Sequence, residues 1–154
     1  MLDQLKSIIN SNQIDELTSF VNLHRADLFS TPNIKDYSDL LKPIAFTDSD
    51  AILTICWLSL LSGDNMSLFT KAMQIDPLSL DQQSKSFYHQ LQALSGLFGD
   101  RKNRVAFSEE AIKELGDKDQ SFYLANAYLT HGQILVGFQR TREASEYFYK
   151  AYQI

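Results

Sequence analysis

Apolar residues along this chain recur at intervals of three and four, and no stretch alternates apolar with polar at a strand's period of two. That spacing predicts helices throughout, because residues three and four apart share one face of an α-helix. Leu2, Leu5, Ile8 and Ile9 mark a first short helix. Asn12 is placed to cap a second, which carries Ile14, Leu17, Phe20 and Val21 on one face. A short helix over 36–41 ends before Pro43, since the residue preceding a proline avoids the helical region. Stretches 26–33 and 47–50 read as connectors.

Beyond residue 50 the pattern tightens. Asp50 is placed to cap a helix over 51–61, which Ser62-Gly63-Asp64 then breaks. A helix over 66–75 follows and ends at Asp76-Pro77. The next, over 80–97, leads into Phe98-Gly99-Asp100, and its partner over 103–115 stops at Gly116, where glycine can take the left-handed conformation. The last two span 119–137 and 141 to the end. These six helices make three helix-turn-helix pairs, over 50–77, 80–116 and 119–154, behind N-terminal helices in 1–46. The breaker recurs after 99 − 63 = 36 residues, and Phe138-Gln139-Arg140 repeats the turn after 139 − 99 = 40. Periods of this size are the mark of stacked helical hairpins.

The third pair has the clearest residue pattern. Tyr128, Gly132 and Leu135 sit on its first helix, and Ala144, Phe148 and Ala151 on its second. Small residues let two helices approach while the aromatic fills the gap between them. A small residue, then Ala, an aromatic and Ala at these offsets resembles the tetratricopeptide repeat. The other pairs match loosely: Cys56 and Ala72 take the small and aromatic positions in the first, and Gln92, Arg104, Ser108 and Ala111 the four positions in the second. The expected fold is an all-α, tetratricopeptide-like helical-hairpin solenoid (an α-α superhelix), forming one domain.

Composition narrows the function. A net charge of −5 without a basic stripe excludes direct nucleic-acid binding by this segment. The densest basic stretch, Arg101, Lys102 and Arg104, reads as a solvated loop. The single cysteine, Cys56, rules out an internal disulfide framework and fits a reducing cytoplasm. The N-terminus has no basic start and apolar run of a signal peptide. The longest apolar run, 51–61, is too short to cross a bilayer, which takes about 20 residues.

No constellation of reactive residues emerges. His24, His89 and His131 have no second ligand at metal-binding spacing, so neither metal nor cofactor is expected. Cys56 lies among Ile55, Trp57 and Leu58, a setting that raises a thiol's pKa and leaves it inert. Glu109 and Glu110 stand four and three residues from Lys113, an ordinary solvated helix face. The chain is therefore expected not to be an enzyme. If the first helix of each pair lines the inner surface of a solenoid, that surface presents Leu53, Trp57, His89, Ala93, Asn126 and Gln133. Aromatics and amides together suit a peptide, or a small effector such as a sugar.

Three strings carry a closer resemblance: Ile55-Cys56-Trp57-Leu58-Ser59-Leu60-Leu61-Ser62-Gly63-Asp64, Leu91-Gln92-Ala93-Leu94-Ser95-Gly96-Leu97-Phe98-Gly99-Asp100, and Ala125-Asn126-Ala127-Tyr128-Leu129-Thr130-His131-Gly132-Gln133. Over roughly 12–154 the chain resembles the repeat domain of large LuxR-type transcription activators, the group typified by the maltose-regulon activator. The P-loop ATPase module and the DNA-binding helix-turn-helix of that family are absent. The resemblance implies a fragment that acts as the effector- or protein-binding domain of a cytoplasmic transcription regulator. The alternative is a stand-alone adaptor or co-chaperone that holds an extended peptide. The sequence ends inside a helix whose apolar face still runs, with Leu135, Phe138, Phe148 and Tyr152 expected at a sticky end. A following repeat, or a homodimer formed through the C-terminal helix, is expected to cover it.

Overall fold

The computed structural model describes residues 1–96, 101–115 and 121–154. Among the described residues the chain is all helix, with ten α-helices, one 3-10 turn over Pro77–Ser79 and no strand. Its contacts fall into two compact units, Met1–Ser79 and Leu80–Ile154.

The first unit contains α1 (Leu2–Asn10), α2 (Ile14–Leu23), α3 (Arg25–Phe29), α4 (Ile34–Leu41), α5 (Ser49–Ser62) and α6 (Asn65–Ala72). Helix α5 is its centre and packs against α2, α4 and α6. Every residue from Ala51 to Ser59 is buried, and its apolar side chains run all round it rather than in one stripe. A helix with neighbours on several sides needs that distribution.

Local chemistry sets the ends of these helices, and two expected caps move. Asp48, not Asp50, caps α5, accepting from the Ala51 amide at 2.9 Å. Asn12 does not cap α2; it turns the chain with φ 55°, a conformation that its short polar side chain tolerates. Gly63 (φ 79°) closes α5, its amide bonded to Leu60 and that of Asp64 to Ser59. This double closure is the Schellman arrangement, which favours a residue without a Cβ. Asp64 then caps α6 through the Ser67 amide, at 3.1 Å.

Part of the expected connector 26–33 belongs to a helix, α3. The buried Arg25 explains it: its Nε donates to Thr54 Oγ1 at 2.8 Å and its Nη2 to the Asp50 carbonyl at 2.9 Å. The Asp50 carboxylate stands 3.5 Å from the same guanidinium. So short a helix is unstable alone and depends on such tertiary contacts.

The second unit contains α7 (Gln82–Ser95), α8 (Arg101–Leu115), α9 (Ser121–Gly137) and α10 (Thr141–Tyr152). Helix α7 packs on α8 and α9, α8 packs on α9, and α9 packs on α10. Asp81 caps α7 by accepting from the Ser84 amide at 2.8 Å. Helix α7 stops before left-handed Gly96 (φ 65°), short of the expected end at 97. The expected turn Phe98-Gly99-Asp100, the stop at Gly116 and the helix start at 119 lie outside the described residues.

The turn after α9 repeats the closure of α5. The Gln139 amide bonds to Val136 and that of Arg140 to Leu135, with Gln139 at φ 62°. Gly63 and Gln139 thus hold the same place in the same motif. A second contact recurs within this unit. His89 of α7 stacks on Phe107 of α8, centroids 6.4 Å apart, and His131 of α9 lies edge-on to Tyr147 of α10 at 4.4 Å.

Candidate interaction surfaces

The groups that could do chemistry are tied into the fold. Cys56 is buried, 4.0 Å from the Leu68 carbonyl, and desolvation pushes its thiol up to about 12. A thiol held protonated is neither a nucleophile nor a metal ligand. Burial lowers the pKa of His89 and of His131, which favours their neutral rings. His131 Nδ1 lies 2.7 Å from Ser108 Oγ in the interior. His24 lies 3.2 Å from Asp27, three residues along the chain. Among the described residues no three His, Cys, Asp or Glu come together as a metal site.

The six residues expected on the inner surface divide between the units, Leu53 and Trp57 in the first and His89, Ala93, Asn126 and Gln133 in the second. Leu53 and Ala93 are 0% exposed and Trp57 is 3% exposed, so none of the three offers a face to a ligand. The Trp57 ring packs 6.2 Å from Phe29. Half-buried Asn126 donates from Nδ2 to Gln90 Oε1 at 2.6 Å. Gln90 is fully buried; its Oε1 also accepts from Thr130, and its Nε2 donates to Ser86 Oγ at 3.2 Å. The Ser86 hydroxyl donates onward to the Ala111 carbonyl at 2.7 Å. The Asn126 amide therefore serves to join α7 to α9. In sequence Ser86 and Gln90, and Asn126 and Thr130, are each four apart, but nothing in either helix marks the other as its partner.

Gln133 alone of the six is openly exposed, beside a cleft of about 140 Å³ lined also by Arg101, Arg104 and Phe138. The arginines there are engaged with helix ends rather than solvated as a loop. Arg104 donates to the Ala93 and Leu94 carbonyls, at 2.6 and 3.0 Å, at the end of α7. Arg101 donates to the Gly137 carbonyl at 2.6 Å, at the end of α9, and lies 5.0 Å over the Phe138 ring. The last carbonyls of a helix lack partners and carry partial negative charge, which a guanidinium satisfies on both counts.

Apolar side chains remain open to a partner in both units. On α6, Met66 (78% exposed), Phe69 (46%) and Met73 (76%) at its C-cap follow one another at three and four residues. Beside them lies a cleft of about 280 Å³, lined by Met66, Ser67, Thr70, Gln74, Lys71 and Lys42. In the second unit, Leu129 and Val136 of α9 and Tyr149 and Tyr152 of α10 are exposed. Of the residues expected at the sticky end, Tyr152 is open (85%), Phe138 and Phe148 are half-buried, and Leu135 is fully buried. Among the described residues no helix is long and apolar enough to cross a membrane. Comparison with protein-family models, with curated proteins and with solved structures finds no match to this chain.

Proposed function

We propose that the chain is a non-catalytic binding module of stacked helical hairpins, a tetratricopeptide-like solenoid, that recognises a protein partner. The observation that carries this reading is the exposed Met66–Phe69–Met73 stripe on α6, beside a cleft with polar walls. Methionine side chains are flexible and polarisable, so such a stripe adapts to apolar segments of differing shape. The sequestered thiol, and the burial that lowers the pKa of half-buried His89 and buried His131, support the non-catalytic half of the reading. The burial of Trp57 and the engagement of Asn126 favour a protein over a sugar, since neither is open for ring stacking or paired hydrogen bonds. The recurring histidine–aromatic contact in α7–α8 and α9–α10 supports the repeat.

The resemblance to LuxR-type activators supports a place for the module in a cytoplasmic transcription regulator. Selection of a random peptide library on the whole chain tests the binding role, with Met66→Ser/Phe69→Ser/Met73→Ser as comparison. Enrichment of apolar peptides on the parent but not on the triple variant is expected. No enrichment on the parent, or equal enrichment on both, overturns it.

A further inference from the structure

The second unit itself shows how one hairpin is covered by the next element. Helix α9 lies over α7–α8, with Phe122 and Tyr123 against Phe87 of α7 and His131 against Ser108 of α8. The repeated histidine–aromatic contact gives the correspondence between the hairpins: 131 − 89 = 42 residues on the first helices and 147 − 107 = 40 on the second. Position 87 then corresponds to Leu129 (87 + 42), and position 108 to Phe148 (108 + 40). Phe87 and Ser108 are closed over by α9, whereas Leu129 is exposed and Phe148 half-buried.

The side of α9 that carries Leu129 and Val136 lies opposite Ala127, Thr130 and Ile134, which are buried on the side toward α7 and α8. On α10, Arg142, Ser145, Tyr149 and Tyr152 are all exposed and follow one another at intervals of three, four and three, so they share one face of that helix. This stripe complements itself. In an antiparallel pairing about a two-fold axis level with residue 147, Arg142 faces Tyr152 of the other copy (142 + 152 = 294) and Ser145 faces Tyr149 (145 + 149 = 294). A guanidinium meets a ring and a small residue meets a large one, and α10 already holds such a pair in Lys150, 4.7 Å over Tyr147. The same axis serves α9. Leu129 faces Val136 of the other copy about a midpoint between 132 and 133, and Gly132 there packs on the ring of Phe148, one residue from the midpoint of the α10 stripe. One two-fold axis thus satisfies both helices, as an isologous interface requires.

We infer that the open α9–α10 face is a homodimer interface, closed by the same face of a second copy in antiparallel register. Sedimentation equilibrium of the full chain across the micromolar range tests it. Reversible dimerisation is expected, at least tenfold weaker in Tyr152→Ser and lost in Val136→Asp with circular dichroism unchanged. The register has its own test: Ser145→Cys/Tyr149→Cys should form a disulfide-linked dimer on mild oxidation, and Ser145→Cys alone should not. A monomer at every concentration, an open-ended polymer, or a dimer indifferent to Val136→Asp and Tyr152→Ser would overturn the inference. A dimer in which Ser145→Cys alone cross-links as readily as the pair would overturn the antiparallel register.

Discussion

A Cβ added at position 132 would stand 2.5 Å from Cε1 of Phe148, so the glycine of α9 is the floor on which the α10 ring rests. Two opposing effects meet there. Alanine is better than glycine in a helix interior by about 1 kcal/mol. Forcing a methyl into a filled site costs about 1–3 kcal/mol. Gly132→Ala is expected to destabilise the parent by about 1 kcal/mol and to stabilise a Phe148→Ala background by about 1 kcal/mol. Urea unfolding of the four proteins checks the reversal of sign; the same sign in both backgrounds removes the steric argument.

Gln139 occupies a left-handed position that Gly63 occupies without cost. A side chain in that conformation costs about 1–2 kcal/mol. Gln139→Gly should therefore stabilise the chain by about 1 kcal/mol, less the extra freedom that glycine brings to the unfolded chain. Gly63→Ala should lose a similar amount. Thermal melts that move in the reverse directions would contradict the strain.

Much of the helix pattern beyond residue 50 was legible because its stops are chemical: Gly63 and the aspartates at helix starts act through the backbone, wherever the helix lies. The exceptions are instructive. Helix α3 has too few residues for a periodic signal and exists through Arg25, whose partners Asp50 and Thr54 lie 25 and 29 residues away in the chain. A solenoid reading places Leu53 and Trp57 on an open inner surface, although the run 51–61 has no polar side and an all-apolar helix is buried. The use of Asn126 to join helices depends on Gln90, 36 residues earlier, and no local pattern links the two.

Acid should weaken the fold. Burial holds His89 and His131 below their ordinary value of 6.5. Above that value both rings are neutral in folded and unfolded chains, and the fold bears no cost. As pH falls below it, the unfolded chain takes up protons first, and stability drops until the folded-state values are reached. Urea unfolding from neutral pH down to about 5 should show this decline, and His89→Gln/His131→Gln should flatten it. A stability that rises over the same range would mean that the folded chain prefers the charged rings.

Cys56 should be silent toward thiol reagents. With its thiol pushed to about 12, almost no thiolate exists at pH 8 in the folded chain. Labelling with a disulfide reagent should be negligible in buffer and complete in denaturant, at a rate that follows unfolding. Rapid labelling of the folded chain would show that the sulfur is accessible.

The shelter around α5 also orders events during synthesis. The helices before it emerge from the ribosome first, yet the element they gather on comes only with residues 49–62, and one of its walls, α6, comes later still. For that interval the nascent chain carries an uncovered oily segment and no centre to hide it in. The sheltered face of α5 is complete only when residues 65–72 have been made.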